Sequence, residues 1–103
     1  SQVEDAWLDY VNKQEYRVYK EISQLSTVQR TILALLSIEP FSQPTSKNVL
    51  LNIRASSTGA SVATSSLLER DWIYKDSRGF FNILDPVVAN IIGRDARTII
   101  EVY

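Results

Sequence analysis

Residues 45–85, TSKNVLLNIRASSTGASVATSSLLERDWIYKDSRGFFNILD, carry the punctuation that decides the fold. Thr45 or Ser46 offers a side-chain oxygen able to cap a helix, and Val49, Leu50 and Ile53 then recur at helical spacing to about Arg54. Ser56, Ser57, Thr58 and Gly59 read as a turn, because hydroxyls bond nearby backbone and glycine adopts angles closed to other residues. A second helix is predicted from about Ala60 to Arg70. Its inward positions are Ala60, Ala63, Thr64, Leu67 and Leu68, which leaves Ser61, Val62, Ser65 and Ser66 facing outward. Trp72-Ile73-Tyr74 and Phe80 to Leu84 then read as two strands joined by a turn at Asp76-Ser77-Arg78-Gly79.

Working outward, Val3 to about Ile22 lacks Gly and Pro and places Val3, Trp7, Tyr10, Val11, Val18 and Ile22 on one helical face, with Tyr16 and Tyr19 partly off it. Ser26 or Thr27 can cap a strongly apolar helix containing Val28, Ile32, Leu33, Leu35 and Leu36, the expected buried spine. Pro40 and Pro44 end it and hold Glu39 to Thr45 extended. On the other side, Asp85-Pro86 is a capping carboxylate followed by a proline suited to a first helical turn. Val87, Val88, Ile91 and Ile92 supply that helix, Gly93 is expected to interrupt it, and Ile99, Ile100, Val102 and Tyr103 suggest a last apolar helix or tail. The predicted fold is therefore mainly α with a small β-hairpin, a winged helix-turn-helix with extra N- and C-terminal helices. Its parts are a connector helix over 1–24, the winged-helix domain over 25–92, and a C-terminal helix or tail over 93–103.

Composition excludes several chemistries. The 103 residues are 45% hydrophobic and 22% charged, which suits one compact domain. There is no Cys and no His, so thiolate and imidazole ligands, thiol nucleophiles, disulfides and a histidine base are all missing. The nearest acidic sets, Glu4/Asp5/Asp9 and Glu69/Asp71/Asp76, lack the spacing of a calcium loop. With no phosphate loop, no G-x-S-x-G elbow and no serine–histidine pair, the chain is expected not to be an enzyme and to use no cofactor. No apolar run approaches the roughly 18 to 20 residues that cross a bilayer, so no membrane partner is expected, and the absence of cysteine fits a cytoplasmic location. Met is absent and Ser1 stands in a helical pattern, as expected of a domain excised from a longer protein.

Charge limits nucleic-acid binding. The chain stands at −1 with a pI near 5.3, although Lys47 and Arg54 are the only charged residues between Phe41 and Ser66, and the wing adds Lys75 and Arg78 against Asp76. The helix in the recognition position has no long donor for a base edge except Arg70 at its far end, and Ser61, Ser65 and Ser66 discriminate weakly.

Four runs resemble a known family. Leu25-Ser26-Thr27-Val28-Gln29-Arg30-Thr31-Ile32-Leu33, Pro44-Thr45-Ser46, Leu67-Leu68-Glu69-Arg70-Asp71-Trp72-Ile73-Tyr74 and Phe81-Asn82-Ile83-Leu84-Asp85-Pro86 look like the winged-helix domain that follows the P-loop core in archaeal-type ATPases, of the class that includes AAA+ and signal-transduction ATPases. The resemblance spans about Leu25 to Ile92, and Trp72 departs from the glycine or aliphatic residue usual in small regulators. It implies that nucleotide-binding residues lie in a preceding domain and that this chain is a non-catalytic docking or regulatory module. Its expected partner is its own ATPase core or another protein, with weak DNA contact through Lys47, Arg54, Ser61, Val62, Ser65, Ser66, Arg70, Lys75 and Arg78. The alternative is a stand-alone DNA-binding transcriptional regulator that dimerises through its terminal helices, and a bare protein–protein adaptor is a third reading.

Overall fold

The computed structural model describes residues 2–102, with side chains except at 2, 7–9, 11, 95 and 97–102. The elements are α1 (Gln2–Ser23), α2 (Thr27–Ile38), α3 (Lys47–Ile53), α4 (Ser57–Glu69), β1 (Ile73–Lys75), β2 (Phe81–Ile83) and α5 (Pro86–Val102). The fold is mainly helical with one two-stranded antiparallel hairpin, an order compatible with a winged helix.

Local chemistry starts α2 to α5. Ser26 and Gln29 form a capping box before α2: the Ser26 hydroxyl accepts from the Gln29 amide at 3.1 Å, and the Ser26 amide donates to Gln29 Oε1 at 2.9 Å. Ser46 caps α3, and Asp85 caps α5 by accepting from the Val87 amide at 2.9 Å. The turn before α4 differs from the sequence expectation. Ser56 is the cap, accepting from the Gly59 amide at 3.0 Å, so α4 starts at Ser57 and Gly59 lies in its first turn. A Cβ on Gly59 would make ordinary contacts with Ser56 Oγ at 3.4 Å and Ala55 Cβ at 3.7 Å, so no close approach demands the glycine. The left-handed residue of the turn is Arg54 instead, with φ 51°.

The end of α4 has a similar device. The Trp72 amide donates to the Leu67 carbonyl at 3.0 Å and the Asp71 amide to that of Leu68 at 3.2 Å, with Asp71 at φ 59°. This is the paired-bond helix stop that usually employs glycine, and aspartate is among the few residues that tolerate the angle. Trp72 thus belongs to the helix stop, β1 is shifted one residue on from the expected Trp72–Tyr74, and β2 is shorter than the expected Phe80–Leu84. Ile73 pairs with Ile83, Tyr74 with Asn82 and Lys75 with Phe81. An isolated bridge joins Phe41 to Phe81, with the Phe81 amide donating to the Phe41 carbonyl at 2.8 Å and the rings edge-on at 6.3 Å. The extended segment after α2 therefore docks onto β2, on the side away from β1.

The core is contributed mainly by Ile32, Leu33, Ala34 and Leu36 of α2, Ala60, Ala63 and Leu67 of α4, Ile73 and Phe81 of the hairpin, and Val88, Ile91, Ile92 and Ala96 of α5. Two expectations about the termini need correction. α5 runs unbroken through Gly93 to Val102, with Ile91, Ile92 and Ala96 buried on either side of it, so Gly93 does not interrupt the helix. On α1, Val18 and Ile22 are buried, yet Val3 and Tyr10 of the same predicted stripe are exposed at 80% and 56%. The side chains of Trp7, Val11, Ile99, Ile100 and Val102, and residues Ser1 and Tyr103, fall outside the described ones.

Replacing the fully buried Leu67 tests this packing. Leu67→Ala is expected to cost about 2–5 kcal/mol in chemical denaturation. Asp71→Gly should leave stability unchanged or raise it by less than about 1 kcal/mol, because glycine meets no penalty at positive φ.

Candidate nucleic-acid or partner interface

Eight of the nine candidate contact residues divide into three groups in space, and Arg70 stands apart from them. On α4, Ser61, Val62 and Ser65 are exposed, and with Ser66 and Glu69 they line a shallow depression of about 330 Å³. Of the expected inward set, Ala60, Ala63, Thr64 and Leu67 are buried while Leu68 is only partly buried against the core, and the Thr64 hydroxyl is satisfied by donating to the Ala60 carbonyl at 2.8 Å. Ser66 departs from expectation. It is half-buried and accepts a hydrogen bond from Gln29 Nε2 at 3.1 Å, so the side chain that completes the α2 capping box also anchors α4.

Sequence reasoning passed over Glu69, whose carboxylate lies on the same exposed rim as the serines. Its position one turn after Ser65 was the available signal. Arg70, the long donor assigned to this helix, caps its C-terminus and lines a different cavity, of about 340 Å³, with Glu21, Asp71 and Asp85. Three carboxylates around that cavity offset its charge, and the α4 face is left with hydroxyls, one valine and one acid.

The second group is Lys47 and Arg54, both exposed, at the two ends of the seven-residue α3. The third is the β1–β2 hairpin, the expected wing. Lys75 Nζ sits 5.5 Å from the Phe81 ring centroid and Arg78 Cζ 5.3 Å from that of Phe80, geometries in which the ring face attracts the cation.

Between those cations the turn is built on Asp76. Its Oδ1 accepts from the amides of Arg78 at 2.9 Å and Phe80 at 3.0 Å, while Oδ2 accepts from Asn82 Nδ2 at 3.1 Å and stands 3.7 Å from Arg78 Nη2. The backbone closes around it, with the Asp76 amide donating to the Phe80 carbonyl at 2.8 Å and Gly79 at φ 86°. The Phe80 amide is the largest influence holding the Asp76 carboxyl below the ordinary carboxylate range. Partial desolvation opposes it, and the Arg78 amide, Asn82 and the Arg78 charge reinforce it.

A groove that periodicity did not reveal lies on the opposite flank of the wing. About 430 Å³ in volume, it is lined by Leu35, Ile38, Pro40, Phe41, Val49 and Phe80, with Asn48 and Asn52 at its polar edge. Ile38 is 61% exposed there, and the apolar residues clustered at the end of α2 were its only sequence signal. Among the described residues, no group of three or more Asp, Glu, His or Cys side chains could hold a metal ion. Among the same described residues, no helix is long and apolar enough to cross a membrane. Comparison with known proteins gives no match to a family model, a curated protein or a solved structure.

The wing turn should be pH-sensitive. Because the folded carboxyl of Asp76 titrates below its unfolded value, its contribution is present above the ordinary carboxylate range and lost as pH falls through the lowered value. The protection of the Arg78 and Phe80 amides, taken relative to intrinsic exchange at the same pH, is expected to fall as pH drops through the lowered value. In Asp76→Ala that protection should be lost even at neutral pH, and protection in α2 should be unaffected.

Proposed function

We infer that this is a winged-helix domain serving as a non-catalytic docking and regulatory surface of a larger P-loop ATPase, with DNA contacted weakly. Support for the winged helix comes from the succession of α2, the Phe41 bridge, α3, α4 and the β1–β2 wing, in which Phe41 acts as the short third strand beside β2. The observation carrying the functional reading is the outer face of α4. A helix that reads bases needs long donors reaching the groove, and this one presents Ser61, Val62, Ser65 and Glu69. Such a face is suited to close approach by a protein surface, here the parent's ATPase core or another protein.

The weak DNA component rests on Lys47, Arg54, Lys75 and Arg78, all exposed on α3 and the wing. They can neutralise phosphates without reading sequence. The same cations support the second reading, a stand-alone transcriptional regulator, and affinity separates the two.

A salt titration against duplex DNA of varied sequence makes the distinction. The expected result is sequence-independent binding, with a Kd weaker than about 10⁻⁶ M at physiological salt. Lys75→Glu with Arg78→Glu should flatten the slope of log K against log salt by about 2. A sequence-dependent Kd tighter than about 10⁻⁸ M at physiological salt would favour the regulator. For the ATPase component the check is the parent chain: a phosphate-binding loop and its lysine are expected N-terminal to Ser1, and a parent without them removes that component.

A further inference from the structure

We draw no further inference here: the strongest candidate, the apolar groove of about 430 Å³ between the end of α2, α3 and Phe80 of the hairpin, has Glu39 as its single charged lining residue among the described residues, and nothing in the structure shows what covers it.

Discussion

Burial of α2 on several sides is the constraint on which the rest of the domain depends. Ile32, Leu33 and Ala34 are consecutive and all fully buried, and three consecutive helical residues sweep roughly 200° of the helix circumference. A helix lying on a surface buries one stripe, whereas α2 has neighbours around it: α5, α4, α3 and β2 all pack against it. Each of those elements packs directly on α2. The outer face of α4 and the basic wing consequently form one rigid presentation, set by the volumes of a few aliphatic side chains.

Hydroxyl groups are used largely to hold that arrangement in place. Ser26, Ser46 and Ser56 each cap a helix, Thr31 and Thr64 bond back to the carbonyl one turn earlier, and Ser66 accepts from Gln29 across 37 residues of sequence. A buried hydroxyl without a partner would be costly, and these have partners. Structural duties of this kind narrow the functional question. Of the three serines assigned to the α4 surface, Ser61 and Ser65 remain as exposed groups on a helix whose inner face is fully engaged.

What could be read from sequence was what short-range chemistry decides. Asp85-Pro86 marks the start of α5 because a cap and a first-turn proline act within three residues of each other, and the inward and outward positions of α4 follow from helical period alone. The misreadings share a different character. Gly59 can adopt a turn angle, but permission is not requirement, and the cap at Ser56 claimed it for the helix while Arg54 took the left-handed angle. The Phe41 bridge joins residues 40 apart, and no local pattern in either announces the other. Periodicity identified the apolar face of α1 through Val18 and Ile22, but it carries no information about how far a neighbouring helix extends to cover Val3 or Tyr10. The candidate contact residues were legible by exposure and charge, whereas the tether on Ser66 and the acidic surroundings of Arg70 depended on the tertiary fold.

The same tertiary facts bear on the proposed docking role. A wing gains its grip on a phosphate backbone from uncompensated charge at the tip, yet the tip here is organised by Asp76, whose carboxylate must stay ionised to accept from Phe80, Arg78 and Asn82. The acid that shapes the loop also subtracts from its potential, so Lys75 and Arg78 together leave one net positive charge on the wing. On α4, Glu69 opposes any phosphate approaching Ser61 or Ser65. Shape and charge therefore diverge: the hairpin and the small-residue helix are well placed for contact, while electrostatic attraction is restrained at both. The proposed docking role rests on that divergence: a complementary protein would be held by shape and apolar contact at Val62 and the Phe41–Phe80 groove, whereas a polyanion rewards positive charge wherever it lies.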